Sequence, residues 1–417
     1  MSVAMEVWLR VVLQPSTLLP SAKSGVLSRI LSAAGPRNSL PSSTAVHKAV
    51  LDTNRIAVEQ ALRINPTDLD ARDGYGLSPL HWATYNGNAE AVKTLLDWGA
   101  NLNPRTRWGV TPLHTAAREW IPNAQEIGMM LLKAGADVFA LRGTAGWTPL
   151  HEDWNGTGAS SLAFYEAVLK AGADPNAQAR QMDCQRSTPL ETLLFGPMDG
   201  YPNSLNKIST LLRWGADPNL PGLHGFTPLQ YLISYGQWGP GASCDMSSTL
   251  ETLLDAGASL NVKDSWGGNI FSRIAVTAGT NWRLRIIDVI RTRDFRGINP
   301  DSTDNYGDTA VDDIRRAIIY GEHDPLTPGR IKRPTLEEAE AFLDLIRHAR
   351  EQNWAAGLFL GWKKRSFCNG SHTDLDEMRE WVKRRFEEED DSEEGSEEDS
   401  EEEMGVEEEL FFDAPEG

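Results

Sequence analysis

The amino-acid sequence predicts an all-α protein in which about eight helix pairs stack into a solenoid. One observation is a recurring Ser/Thr-Pro-Leu motif, and another is a recurring apolar segment that ends in Gly-Ala. Ser or Thr caps a helix N-terminus, proline fits the first helical position, and glycine adopts the left-handed conformation that ends a helix. Two short helices of this kind are unstable alone, so each pair is expected to pack on its neighbours.

The clearest copy of the motif spans residues 78–100. Ser78 precedes Pro79, the apolar positions of two helices follow, and Gly99 ends the second helix. The Pro-Leu pair then recurs at Pro112-Leu113, Pro149-Leu150, Pro189-Leu190 and Pro228-Leu229. This pattern resembles the ankyrin-repeat family, whose signature Thr-Pro-Leu-His-x-Ala recurs about every 33 residues. The signature histidine is matched by His81, His114 and His151.

The resemblance implies an ankyrin-repeat solenoid over residues 44–352. Its repeats are expected to start near residues 45, 79, 112, 149, 189, 228, 270 and 310. Ala45 replaces the proline in a degenerate first repeat, as Ile270 and Ala310 do in the last two. The last repeat is expected to close with a long amphipathic helix behind the capping box Thr335-Leu336-Glu337-Glu338.

Three segments flank the predicted solenoid. Residues 1–43 are expected to form a disordered or weakly ordered leader, and their acid-poor, Ser-rich composition leaves a mitochondrial transit peptide as an alternative. Residues 353–386 predict a helical extension, and the sequence leaves open whether it packs on the end of the solenoid. Residues 387–417 predict a disordered acidic tail with too few apolar residues to fold. Ser396 and Ser400 in this tail resemble phosphorylation sites of acid-directed kinases.

The net charge of −19 is concentrated in the tail. Residues 387–417 contain 18 acidic and no basic residues, which leaves 41 acidic against 40 basic residues in the rest of the chain. This balance argues against sequence-independent binding of nucleic acid, which requires a basic footprint. No apolar run reaches the length of a membrane span. We therefore expect a monomer with protein partners, no direct nucleic-acid contact and no membrane contact.

The signature histidines could suggest a metal array, but a structural role fits the sequence better. Later repeats carry Glu191 and Gln230 at this position, so a metal ligand is not consistently present. In the family that the chain resembles, the residue at this position forms hydrogen bonds within its repeat and to the next turn. We therefore expect no metal site.

Other chemistry is not indicated by the sequence. It contains no phosphate-binding loop, nucleophile elbow or metalloprotease motif. Its three cysteines lie far apart, without the spacing of metal ligands, and this fits a reducing compartment. We expect no catalytic residue, no cofactor and no enzyme activity, in a protein of the cytoplasm and/or nucleus. The basic clusters at 363–365 and 383–385 are either a nuclear import signal or solvent-facing helix residues.

Aromatic residues near the turns between repeats are the candidate binding residues. Tyr75, Trp108, Trp266 and Tyr306 directly precede a turn glycine, whereas Trp147 and Phe226 directly follow one. The resemblance implies that these turns project as fingers and line a concave surface, where large aromatic side chains often dominate binding. The alternative is that some of them cover the neighbouring finger. Trp98 and Trp214, before the glycine that ends a second helix, are expected to pack.

These features predict a non-enzymatic scaffold that binds a protein partner, of unknown identity, on the concave face. One variant is a nuclear transcription coregulator, because Leu410-Phe411-Phe412 in an acidic context resembles an activation segment. The alternative is an adaptor that recruits substrates to a ubiquitin ligase or a chaperone, with its docking element in residues 1–43 or 353–386.

Overall fold

The computed structural model describes residues 43–51, 55–117, 121–155, 162–180, 186–195, 202–222, 225–235, 246–277, 282–323, 333–358 and 374–398. The predicted leader, apart from residue 43, lies outside the described residues. So do the basic cluster at 363–365, Ser400, and the acidic end of the chain from residue 399 onward.

The described residues form sixteen α-helices, most of them arranged as consecutive pairs. The first elements of the pairs are α1 (Ala45–Leu51), α3 (Pro79–Tyr85), α5 (Pro112–Ala116), a 3₁₀ helix (Pro149–Asn155), α8 (Pro189–Phe195), α10 (Pro228–Tyr235), α12 (Ile270–Ala275) and α14 (Ala310–Tyr320). The second elements are α2 (Arg55–Ile64), α4 (Ala89–Asp97), α6 (Ala124–Lys133), α7 (Leu162–Lys170), α9 (Pro202–Arg213), α11 (Ser247–Asp255), α13 (Trp282–Ile290) and α15 (Leu336–Ala355). Further elements are 3₁₀ helices at Pro66–Asp70 and Gly321–His323, two-residue strands β1 (Ala179–Arg180) and β2 (Arg186–Ser187), and α16 (Leu375–Glu398).

The pair α3 and α4 shows why the sequence folds in this way. The Ser78 backbone N–H donates to the His81 side chain (3.2 Å), and the His81 N–H donates back to the Ser78 hydroxyl (3.4 Å), which forms a capping box. Leu80 on α3 and Leu95 on α4 are fully buried, and Gly99 ends α4 with a φ of +81°. The apolar faces of two short helices are therefore covered by their neighbours and not by solvent.

The described residues fall into two compact units, which divide between Ile270 and Phe271. In the N-terminal unit the first elements of the pairs contact one another in sequence order, and so do the second elements. This arrangement confirms the predicted fold class, an all-α solenoid of helix pairs. One irregularity among the described residues is the small antiparallel ladder in which Ala179 lies opposite Ser187, where Arg186 stands in place of the usual turn glycine. No helix in the described ranges is long and apolar enough to cross a membrane.

In the C-terminal unit, the helix α16 packs on the closing helix α15 of the last repeat. Leu375, Met378 and Val382 of α16 are buried, and α16 lies against α15. Arg347 of α15 forms an ion pair with Asp376 (2.6 Å). The described part of the extension, α16, therefore packs on the closing helix.

The C-terminal helix extends further than expected. Residues 387–398, assigned to the disordered tail from sequence, continue α16 as far as Glu398, and Ser396 lies in its last turn. Glutamate, the commonest residue in this stretch, is a good helix former, so the backbone can continue a helix that packing has already nucleated. The remainder of the predicted tail lies outside the described residues.

A buried arginine holds three elements of the C-terminal unit together. Arg283 of α13 donates to Glu338 of α15 at 2.9 Å, and both side chains are almost fully buried. The same guanidinium donates to the carbonyl oxygens of Ile274, Ala275 and Thr277 at 3.1, 3.3 and 2.8 Å. These carbonyl oxygens lie in the last turn of α12 and just beyond it, where the hydrogen bonds of the helix end. Arg283 thus caps one helix while it neutralises the first turn of another.

Replacing Arg283 with Met is expected to lower the free energy of unfolding of the C-terminal unit by about 3–5 kcal/mol, because Glu338 would remain buried without its cation. The measurement is urea denaturation followed by circular dichroism. Arg296→Met is the matched control, since Arg296 pairs with Asp294 in full solvent and should change little. Equal losses in the two variants would contradict the prediction.

Candidate protein-binding surface

The first predicted finger is a tight turn that is tied to its own repeat. In the first finger (73–77) one oxygen of Asp73 accepts hydrogen bonds from the backbone N–H groups of Tyr75 and Leu77, both at 2.9 Å. The other oxygen accepts from the indole N–H of Trp82 in α3 at 2.8 Å. Gly76 adopts a φ of +78°, which glycine accommodates without strain. The finger is therefore fixed both within itself and to the helix behind it.

The same construction recurs in the second finger (106–110), in the sixth finger (264–268) and in the turn 304–308 of the C-terminal unit. In each, the N–H of the aromatic residue donates to the side chain two positions earlier: Trp108 to Thr106 (3.3 Å), Trp266 to Asp264 (2.8 Å) and Tyr306 to Asp304 (2.8 Å). The backbone of the aromatic residue is thus held by its own turn, and its position does not depend on a ligand.

Five of the six candidate aromatic residues reach the surface. Tyr75, Trp108, Trp147 and Trp266 of the N-terminal unit are half-buried. Tyr306 of the C-terminal unit is 74% exposed. These side chains combine partial support from the protein with an accessible aromatic face.

Phe226 was predicted as a binding residue, and this prediction is wrong for the structure described here. Its side chain is only 1% exposed, and its ring lies 5.3 Å from the ring of Trp266. Leu77 and Val110, at the same position in their fingers, are also buried, so this position faces the interior of the stack. Trp147 shares the position but remains half-buried.

Tyr75, Trp108 and Trp147 lie on three successive fingers that are directly connected. The Gly143 N–H in the third finger (142–147) donates to the Trp108 carbonyl at 2.7 Å. Arg72 donates to the carbonyl oxygens of Gly76 and Arg105. It therefore connects the first finger to the residue that precedes the second finger. The three fingers are therefore joined by hydrogen bonds, and each carries one half-buried aromatic side chain.

Trp98 and Trp214 were predicted to pack against the protein, but both side chains are exposed. They are 39% and 44% exposed. Trp98 is the C-cap of α4, where the helix ends and the next residue is a left-handed glycine. The periodicity of a helix does not determine whether a side chain at its C-terminal end is buried or exposed. Phe139, which the sequence did not single out, is also exposed, at 60%.

The signature histidines connect each repeat to the next finger. The His81 Nδ1 accepts from the Ser78 N–H, so its Nε2 carries the proton and donates to the Val110 carbonyl at 3.0 Å. The same bond joins His47 to Leu77 (3.1 Å), His114 to Trp147 (2.9 Å) and His151 to Ser187 (3.1 Å). No cluster of three or more potential metal-ligating side chains occurs among the described residues.

Burial favours the neutral form of His47, His81 and His151. It lowers the pKa of His81 and of His151 from the ordinary value of 6.5 to about 4, against the raising effect of their bonds to carbonyl oxygens. Burial likewise lowers the pKa of His47. A protonated ring would lose the acceptor nitrogen on which the capping bond depends.

Comparison with known proteins agrees with this architecture. Residues 46–142 match the family model described as ankyrin repeats, in three copies. The chain is 29% identical to human ankyrin repeat and SOCS box protein 16 over 260 residues and 33% identical to its mouse counterpart over 258 residues. Each match covers 53% of this chain and 53% of the relative, so the chain spans about half the length of the curated relatives it matches.

The crystal structure of the ankyrin repeat domain of Bcl-3 superimposes with a TM-score of 0.48 and 23% identity. This match covers 60% of this chain and 99% of the Bcl-3 domain. The family match over residues 46–142, with the capping boxes, the histidine bonds and the fingers described above, shows that the chain contains ankyrin repeats.

Replacing His81 and His151 with Gln is expected to flatten the pH dependence of stability. The unfolded chain binds protons on these rings below about pH 6.5, whereas the folded chain does so only near pH 4. Stability should therefore fall as the pH drops from about 6.5 to about 4, by up to about 1.4 kcal/mol per pH unit for each histidine. Urea unfolding at several pH values measures this slope.

The chain itself shows that Gln suits the position. Gln230 accepts from the Thr227 N–H (3.0 Å) and donates to the Val262 carbonyl (2.9 Å), as the histidines do. His323→Gln, at an exposed position, is the control and should leave the slope unchanged. An unaltered slope in the His81→Gln/His151→Gln protein would show that these histidines are not the buried neutral groups.

Proposed function

We propose that the chain is a non-enzymatic scaffold that binds a protein partner through the aromatic residues of its fingers. The observation that carries the proposal is the set of half-buried rings of Tyr75, Trp108 and Trp147 on three directly connected fingers. Aromatic side chains of this kind supply much of the binding energy in protein interfaces. Trp266 extends the set in the N-terminal unit, and Tyr306 is the equivalent residue of the C-terminal unit.

The fingers are suited to binding because they are preorganised. Ordering a mobile loop on association opposes binding by roughly 0.5–1.5 kcal/mol for each immobilised side chain. Here the Asp73 and Thr106 side chains already bond to the backbone of the turn, and the third finger bonds to the second. A partner would meet a surface whose backbone needs little rearrangement.

A nuclear coregulator is the more specific form of this proposal. Its support is the acidic segment around Leu410-Phe411-Phe412, where charge would keep apolar residues accessible. With a nearly balanced charge outside the tail, the chain would act through a DNA-bound protein and not on DNA itself.

An adaptor is the second candidate function. It is favoured by the relatives named ankyrin repeat and SOCS box protein 16, which match over 53% of this chain. In this case the fingers would hold the client, and a flanking segment would dock on a ubiquitin ligase or a chaperone.

Trp108→Ala combined with Trp147→Ala is expected to abolish capture of the finger-bound partner, because both rings leave the connected surface. The measurement is proximity labelling in cells followed by quantitative comparison with the unaltered protein. Trp98→Ala is the matched control, since it removes an exposed indole from a helix end and not from a finger. Circular dichroism checks that all variants are folded. A labelled set that is the same for all three proteins would refute the finger surface as the binding site.

The coregulator and adaptor forms predict different results for the tail and flanks. Residues 387–417 fused to a DNA-binding domain should activate a reporter gene if the chain is a coregulator. An adaptor should instead co-purify with ligase or chaperone subunits and lose them when residues 353–386 or 1–43 are removed. A silent reporter together with unchanged localisation of tail-deleted protein would exclude the coregulator.

A further inference from the structure

Three exposed arginine residues lie in or next to the first two fingers. Arg72 stands three positions before Tyr75, and Arg105 and Arg107 precede Trp108 of the second finger. The Arg72 guanidinium donates to the Arg105 carbonyl, which places it at the junction of the two fingers. A Cβ on Gly76 would lie 3.4 Å from Cγ of Arg107, so the Arg107 stem crosses the first finger beside Tyr75. We call these five residues the arginine–aromatic surface.

The charges of this surface are not neutralised by neighbouring carboxylates. Among the described residues, no Asp or Glu pairs with Arg72, Arg105 or Arg107. The third finger differs, because Arg142 pairs with Glu152 and lies 5.4 Å from the ring of Trp147. Of the first three fingers, the first two therefore carry the arginine residues that have no ion pair with a described residue.

The described residues of the fifth and sixth fingers do not repeat this pattern. In the fifth finger (222–226) the described residues carry no charged side chain. The sixth finger has one neighbouring basic residue, Lys263, because Ser265 stands where the second finger has Arg107. The basic region is thus short and mixed with aromatic rings, whereas nucleic-acid backbones are bound along extended basic tracks.

We propose that the arginine–aromatic surface binds an acidic peptide segment of a partner protein that also carries apolar side chains. Guanidinium groups bind carboxylates through paired N–H donors, and the rings of Tyr75 and Trp108 offer flat apolar area beside them. This proposal rests on the proposed function and specifies the chemistry of the partner at the N-terminal fingers.

The test uses a fluorescein-labelled synthetic peptide with the sequence of residues 404–417, which contains Glu407-Glu408-Glu409-Leu410-Phe411-Phe412-Asp413. Binding is followed by fluorescence anisotropy with the full chain and with a chain ending at residue 398, so that competition from the chain's own acidic end cannot hide the site. The peptide should bind, more weakly as salt is added, and a version with every Glu and Asp replaced by Gln and Asn should not.

Arg105→Glu combined with Arg107→Glu should raise the Kd of the peptide by about tenfold or more, and the milder Arg105→Gln/Arg107→Gln variant by less. Lys263→Glu is the matched control, because Lys263 occupies the position of Arg105 in the sixth finger, and it should leave the Kd nearly unchanged. Circular dichroism confirms that each variant is folded.

The proposal is overturned if neither form of the chain binds the peptide, or if the arginine variants bind it as well as the unaltered protein. Binding of single-stranded oligothymidine without binding of the peptide would also overturn it, in favour of nucleic acid. If the arginine variants keep the partners that Trp108→Ala/Trp147→Ala loses, the acidic-peptide proposal fails and the scaffold proposal stands. If the arginine variants and the Trp108→Ala/Trp147→Ala variant all keep every partner of the unaltered protein, the scaffold proposal fails as well.

Discussion

The hydrogen bond from a signature side chain to the next finger is the constraint on which the N-terminal unit depends. Each pair of short helices is too small to be stable, so a repeat exists only in contact with its neighbours. The histidine satisfies a backbone carbonyl that the turn leaves inside the stack, and it does so while capping its own helix. One buried ring therefore sets both the start of a helix and the position of the following finger. The placement of the candidate binding residues follows from this bond.

Substitutions at the signature position show how strictly the neighbouring turn must match it. Gln230 keeps both bonds, since an amide has an acceptor and a donor at nearly the same reach. Glu191 accepts from the Thr188 N–H, but a carboxylate is not a donor to a carbonyl. Its oxygens instead occupy the space in which a Cβ at position 222 would lie, within 2.0 Å. Glycine at 222 is thus the complement of glutamate at 191, a coupling between residues of two different repeats.

The sequence predicted what is local and missed what depends on distant contacts. Caps such as Ser78 with His81, and the closing box of Thr335 with Glu338, are encoded within four residues and were predicted correctly. The bond between Arg283 and Glu338 joins residues 55 positions apart, and no periodicity indicates it. Phe226 was misassigned because aromatic character was weighed above position, although Leu77 and Val110 at the same place are typical core residues. The arginine residues flanking the fingers were likewise overlooked, because the charge was assessed for the whole chain.

The net charge of a repeat protein does not describe the electrostatic field at any one binding site. Charges in solvent are screened over about 8–10 Å at physiological ionic strength. A charged segment at a much greater distance therefore contributes little to the field at a site. A tail with 18 acidic residues dominates the total of −19, whereas the first two fingers carry the exposed arginine residues Arg72, Arg105 and Arg107. A solenoid binds through a few successive repeats, so its charge has to be assessed repeat by repeat. An acidic protein can in this way present a basic surface to an acidic partner, with aromatic rings that add the apolar contact area that screened charges alone do not supply.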